Sequence, residues 1–435
     1  MTTSSRMRGM VAYKRIPLFI KIIISLLIGA VLGHAWHSGF GPLVSLTEAT
    51  GINGESFKWI ADLILRVLRL LATPLIFTAV IGSIIGANIT GRKAGKLMWL
   101  LMSNTVIAIL VGLLVANVVR PGDHLRNVFT EKGPAPEKEP YNIWNHLLDS
   151  IPTDFISPFQ KNDIIGIIII AIAFGVAMRM LLHSEQPALK STIEHFQKTL
   201  NAFFQLTSKI LHWVFELVPL AVFAVVTRVV ATKGLESLTG MGVWVLSVVG
   251  ALLIMGVFYL IRMSLSSRIS PLVFLKGGKD AFFMAFSTAS SAATLPVTYR
   301  CATDNLKIKD ENASMGIMVG GTFNHDGTAL YEAMAALFIA QGIGMHLPVG
   351  QQVIVVIMSV IASVGAAGIP EAGLVTMLAV FKAVNLPVEY IPLLLTVDWF
   401  LDRCRTTINV MGDMASTAIL EGREAPTERL PRETT

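Results

Sequence analysis

Charged and carboxamide side chains stand inside two apolar stretches in the last third of the chain, and that placement limits the fold more than any other feature. The stretch GGTFNHDGTALYEAMAALFIA carries Asn324, Asp326 and Glu332, and VDWFLDRCRTTINVMGD carries Asp398, Asp402, Arg405, Asn409 and Asp413. One Asp or Arg at the centre of a lipid-spanning helix costs about 2.5–3.5 kcal/mol on insertion scales. Such groups must therefore look into protein or a polar cavity. Two further apolar segments, STASSAATLPVT and SVIASVGAAGIPEAG, are broken by Ser, Gly and Pro. They predict re-entrant backbone lining a cavity, since unpaired amide groups are not tolerated against lipid.

The chain of 435 residues is 53% hydrophobic and 15% charged, with a mean hydropathy of +0.64. That is too apolar for an ordinary soluble enzyme and predicts an all-α polytopic membrane protein. Spans are expected near 16–37, 57–88, 97–119, 164–183, 203–231 and 239–262, each able to cross about 30 Å of hydrocarbon. The long stretches 57–88 and 203–231 predict tilted single helices. Cytoplasmic loops are enriched in Lys and Arg, so the tail 1–15, with Arg6, Arg8, Lys14 and Arg15, is expected inside. Threading from there places Arg92, Lys93, Lys96, Lys190, Lys198, Arg262, Arg268, Lys276 and Lys279 inside as well, and the loop 120–162 outside. The net charge of +6 then reflects topology rather than nucleic-acid binding, with weak attraction to anionic lipid as a minor effect. The apolar run after residue 15 is too long for a cleavable signal and reads as the first span. The only cysteines, Cys301 and Cys404, offer no disulfide framework or metal pattern and read as small buried hydrophobes.

Positions 398, 402, 405, 409 and 413 are spaced 4, 3, 4 and 4, which keeps them on one narrow helix face. Asp402 and Asp413 differ by only about 20° around the axis. The stripe holds what a small zwitterion needs: carboxylates for an ammonium, and in Arg405 a guanidinium that can grip a carboxylate by two parallel hydrogen bonds. The competing reading is a salt-bridge ladder such as Asp402 with Arg405. Arg403 points away from the stripe and suits an interface, while Asp398 fits a structural or a functional role equally. In NHDGT, Gly327 is expected to interrupt its span, and Asp326 with Asp413, helped by Asn324 and Asn409, suits a hard cation. A buried Asp that only satisfies backbone donors is the alternative there. Ser290 and Ser291 in one broken segment, and Gly365 to Gly373 around Pro370 in the other, offer backbone donors and acceptors at membrane depth.

SSAATLPVT, NHDGTALYE, AAGIPEAG and DWFLDRCRTTINVMGD resemble, in order, a first hairpin tip, an NMDGT segment, a second hairpin tip and the last helix of the dicarboxylate/amino acid:cation symporters. This family contains the excitatory amino acid transporters and their prokaryotic glutamate and aspartate relatives. The resemblance is specific over about 270–420 and looser before it. It implies a glutamate-transporter-like fold of eight transmembrane helices plus two re-entrant hairpins, with inverted repeats. It also implies a homotrimer in a prokaryotic plasma (inner) membrane, both termini cytoplasmic, working by an elevator-type movement. A trimerisation scaffold would occupy mainly 16–231, with parts of the third and sixth spans in the moving unit. The transport domain would be mainly 239–420, with hairpin 1 near 271–300, span 7 near 311–341, hairpin 2 near 350–382 and span 8 near 388–420, before a tail 421–435.

By the same resemblance Asp402 takes the substrate ammonium and Arg405 its side-chain carboxylate, with Thr328, Thr406, Asn409 and hairpin backbone at Ser290, Ser291 and Gly368 completing the site. Relatives that carry neutral amino acids lack this arginine, so glutamate or aspartate is the expected cargo. Gly320, Asn324, Asn409 and Asp413 match one sodium position, and Thr322 with carbonyls of Ser363, Val364 and Ala366 a second. A third joins Asn324 and Asp326 to Asn104 and Thr105, although Leu101 stands where a tyrosine is usual. His325 replaces the methionine of NMDGT; an imidazole with an ordinary pKa near 6.5 can supply charge near neutrality. With Glu332, which resembles the proton-carrying glutamate of the excitatory carriers, it predicts proton-coupled uptake. A merely hydrogen-bonded core histidine is the other reading. Glu371, at the second hairpin tip, is a further polar novelty that reads as solvent-facing or as a gate.

No cofactor is expected beyond the coupling ions, protons and as an alternative sodium. The alternative function is sodium-coupled glutamate/aspartate or C4-dicarboxylate symport. An anion channel is a distant one, because crowded, mutually compensating charges favour binding and alternating access over a pore. An intramembrane aspartyl hydrolase would need paired carboxylates, yet Asn324 and Asn409 beside Asp326 and Asp413 suit ion coordination better. No nucleotide-binding loop supports ATP-driven transport.

Overall fold

The computed structural model describes residues 18–86, 92–125, 151–161, 163–365 and 372–423, and every regular element among them is helical. In chain order these are α1 (Leu18–His37), α2 (Gly41–Thr50), α3 (Lys58–Gly86), α4 (Arg92–Val119), α5 (Ser157–Lys161), α6 (Ile164–Leu182), α7 (Pro187–Phe215), α8 (Val218–Lys233) and α9 (Ser237–Ser266). They continue with α10 (Pro271–Thr288), α11 (Ser291–Arg300), α12 (Asp310–Phe323), α13 (Asp326–Gly342), α14 (Val349–Gly365), α15 (Ala372–Ala383) and α16 (Ile391–Glu421). Among the described residues five helices are long and apolar enough to cross a membrane, or six if the bent pair α7–α8 is one span. The chain is an integral membrane protein of all-α architecture.

The stretch 203–231 is not one tilted helix. It is the end of α7 and most of α8, bent by 43°. Pro219, at the second position of α8, has no N–H to give back to α7 and disfavours helical backbone just before it. The break is clasped from α1: Lys21 Nζ lies 2.8 Å from Glu216 Oε2, with the lysine side chain only 4% exposed.

Elsewhere apolar spans are divided as the Ser, Gly and Pro clusters require. α10 and α11 pack against each other as one hairpin, and α14 and α15 as a second. At the first tip Ala289 takes a left-handed conformation (φ 52°), and Ser290 Oγ then caps α11 by accepting from Ala293 N–H. The second tip, including Ala366, Gly368 and Glu371, lies outside the described residues.

The break in the NHDGT span falls at Asn324 and His325, not at Gly327, because both of those residues leave helical geometry and α13 begins at Asp326. Gly327 serves packing instead. A Cβ there would stand 2.8 Å from the Arg405 carbonyl oxygen, so the absent side chain lets α13 press its first turn onto α16. Every residue of α13 is buried; α4, α9, α14, α15 and α16 surround it.

Candidate functional site

The stripe on α16 forms as the spacing predicts, and all five members are buried: Asp398, Asp402, Arg405, Asn409 and Asp413. Its arginine is fully enclosed. Arg405 Nη1 lies 3.0 Å from Asp398 Oδ1, Nη2 lies 2.8 Å from Asp402 Oδ1, and the guanidinium carbon sits 4.0 Å from the centre of the Tyr331 ring. The Asp402–Arg405 ladder is therefore real, and Asp398 belongs to it as a second partner. Arg405 Nε has no hydrogen-bond partner among the described residues. Nη1, although ion-paired with Asp398, also lacks a hydrogen-bond partner among the described residues, so two nitrogens of the fork are open to a ligand. Arg403 Nη1 donates to the Phe286 carbonyl at 2.8 Å and to that of Ser287, holding the last turn of α10.

The broken helix meets this face one to two turns further along. The Gly327 N–H donates to Asn409 Oδ1 at 2.7 Å, and Asn324 Nδ2 donates to Asp413 Oδ1 at 2.9 Å and to the Asn409 carbonyl at 3.3 Å. At Gly320 a Cβ would stand 2.6 Å from Asp413 Oδ1, so glycine lets that carboxylate lie against α12. Asn324 Oδ1 is buried with no hydrogen-bond partner among the described residues. An orphaned acceptor beside a carboxylate fits a mobile hard cation.

Of the second predicted cation group, Thr322 and the Ser363 carbonyl lie within the described residues and Ala366 does not. Thr322 Oγ1 donates to its own helix at the Met318 carbonyl, and the Ser363 carbonyl accepts from His325 Nδ1 at 3.1 Å. Because a carbonyl can only accept, Nδ1 carries the proton, and the buried Nε2 has no hydrogen-bond partner among the described residues. The side chain of Val364 lies outside what is described.

Around Asp326 each carboxylate oxygen accepts from a protein donor. Thr105 Oγ1 donates to Oδ1 at 2.6 Å and Tyr259 donates to Oδ2, while Asn104 Nδ2 donates to Ser416 Oγ at 3.0 Å. Glu332 is fully buried, accepts from Thr376 Oγ1 of α15 at Oε1, and leaves Oε2 unpartnered among the described residues. Thr328, Thr406 and Ser291 are buried, and Ser290 spends its hydroxyl on the α11 cap. Tyr331, Tyr259, Arg262 and Thr376 are site groups that the sequence reading did not assign.

Polar groups held this deep, with interrupted helices ending against them, are the construction of a carrier for small polar solutes and ions rather than of a catalyst. Residues 18–422 match the sodium:dicarboxylate symporter family, and the chain belongs to that family. It is 34% identical over 418 residues to excitatory amino acid transporter 2 of Rattus norvegicus, covering 82% of this chain and 72% of that protein. Excitatory amino acid transporter 3 of Mus musculus is 28% identical over 458 residues, covering 93% and 85%. An excitatory amino acid transporter of Caenorhabditis elegans is 29% identical over 463 residues, covering 93% and 87%.

Proposed function

We propose that the chain is a secondary active symporter that takes up acidic amino acids, L-glutamate or L-aspartate, coupled to cations and with protons as the principal coupling ion. The observation that carries this reading is the enclosed Arg405, paired to Asp398 and Asp402 yet with no hydrogen-bond partner for Nε among the described residues. Asp402 receives the substrate ammonium and Arg405 its side-chain carboxylate, with Thr328, Thr406, Asn409 and the backbone at Ser291 completing the site. The names of the relatives support the cargo. Charge supports the coupling: Asp326, Glu332, Asp398, Asp402 and Asp413 are all buried, as is Arg405, with Arg262 half-buried. If all are ionised the site is net negative, and an acidic amino acid brings one more negative charge. Entry into so apolar a place requires accompanying positive charge.

Protons enter this account through Glu332 Oε2 and His325 Nε2, two buried titratable atoms with no hydrogen-bond partner among the described residues. The cycle is alternating access of the elevator type in a homotrimer, in a prokaryotic inner membrane. Sodium coupling is a second reading, favoured by Asn324 Oδ1 beside Asp413, which suits a mobile cation. The test is uptake of labelled glutamate and aspartate by proteoliposomes under separately imposed proton and sodium gradients. Uptake driven by a pH gradient without sodium supports proton coupling, and strict sodium dependence refutes it. Uptake of neither amino acid under either gradient overturns the assignment of Arg405 and turns attention to C4-dicarboxylates.

A further inference from the structure

Arg262 was counted above with the cytoplasmic loop charges, but it lies within α9 and its guanidinium turns inward. Nη1 donates to Asn104 Oδ1 and Nη2 donates to Ser103 Oγ at 2.8 Å. The rings of Trp99 and Phe258 flank it, with centres 5.4 and 5.7 Å from the guanidinium carbon. Asn104 is 1% exposed, and its amide nitrogen is committed to Ser416. Its oxygen is thereby committed to Arg262. One turn earlier on α9, Tyr259 donates to Asp326 Oδ2, while Thr105 donates to Oδ1.

Besides Asn324 Oδ1, a mobile cation beside Asp326 would need these same oxygens: the Asp326 carboxylate, Asn104 Oδ1 and Thr105 Oγ1. Each already faces a protein donor or has its proton directed at the carboxylate. A full positive charge also stands within electrostatic reach of Asp326. The contrast with Asp413 is direct, since the buried Asn324 Oδ1 beside it has no hydrogen-bond partner among the described residues. The Asp326 position is therefore less open to a bound sodium ion than the Asp413 position.

We propose that Arg262 is a tethered cation that fills the position beside Asp326 and so sets how many external ions the carrier requires. Arg262 acts through Asp326 and Asn104 and is a positioning residue, without contact to substrate. The inference deepens the symport reading, but one arm of its test is independent of transport. That arm is thermal unfolding of the purified full-length protein in detergent, with sodium chloride replaced by choline chloride at constant ionic strength. Arg262→Met is expected to gain a sodium-dependent rise in midpoint beyond that of the parent, because a ligand that binds only the folded state stabilises it. The double variant Arg262→Met/Asp326→Asn should lose that gain, and Arg262→Lys, which retains the charge, should respond as the parent does.

In proteoliposomes, uptake by Arg262→Met without sodium should fall by about tenfold or more, within the usual range of coupling between sites. Its apparent order in sodium should rise. Arg262→Met with the parent's sodium response overturns the proposal. So does failure to fold in either salt, which would make Arg262 a structural clamp, and so does a sodium response that survives Asp326→Asn. If the parent carries no acidic amino acid, the symport reading fails while the unfolding arm still decides the role of Arg262.

Discussion

At the scale of single residues, Arg405 is held ready rather than left open. A guanidinium with no partner in so apolar a place would be strongly destabilising, and Asp398 and Asp402 prevent that. On the proposed reading, a substrate carboxylate would exchange for part of an existing pair. Charged hydrogen bonds contribute about 1.5–3 kcal/mol each, so Arg405→Lys, which loses the planar fork but keeps the charge, should lower kcat/KM for aspartate or glutamate by about 10- to 100-fold. Initial-rate uptake checks this, and an unchanged kcat/KM would remove Arg405 from the site. Glu332→Gln keeps the side-chain shape and its contact with Thr376 but cannot release a proton; it should abolish the response of uptake to an imposed pH gradient while leaving exchange of internal for external substrate intact. For His325→Met, which removes both ring nitrogens, the expected outcome is a shift from proton-driven toward sodium-driven uptake. Unchanged ion dependence would make His325 a core residue satisfied by the Ser363 carbonyl.

At the scale of elements, the fit between α13 and α16 is the structural centre of the site. Gly327→Ala would force a methyl to within 2.8 Å of the Arg405 carbonyl, and overpacking of this kind costs about 1–3 kcal/mol. A lowered thermal midpoint together with weaker substrate binding is expected from it, whereas Gly250→Ala, at a glycine of ordinary helical backbone that meets nothing within 4 Å, should leave both unchanged. The α16 stripe was legible because five polar positions at helical spacing have one geometric solution. The position of the break before α13 was not, since glycine is a strong signal for interruption and gives no hint that it is needed for close packing. The α7–α8 bend was hidden for a related reason: a long apolar run fits a tilted helix as well as two shorter ones, and Pro219 decides between them only once Lys21 is seen to hold Glu216 at the corner. Arg262 was misplaced because counting charges near span ends carries no information on the direction of the side chain. Tyr259 and Thr376, neutral groups in apolar helices, leave no trace in composition at all.

For the whole molecule, the question is how a protein carries so many ionisable groups through an apolar medium. α16 runs unbroken for 31 residues, so Asp398 and Asp413 lie about 22 Å apart along one rod at 1.5 Å per residue. Groups proposed for substrate and for cation thus share one rigid element, and their coupling is electrostatic as much as mechanical. Asp413→Asn should accordingly reduce the number of positive charges that enter with each substrate molecule, measured as a shift in the membrane potential at which net flux in proteoliposomes reverses. The pairing of Arg405 also bears on the half of the cycle that moves nothing. A symporter must return unloaded, and a site that exposed a lone guanidinium on emptying would become trapped by its own charge on one side. With Asp398 and Asp402 paired to Arg405 in the ligand-free chain, the proposed site would leave its arginine compensated after the substrate departs and the unloaded protein free to reset.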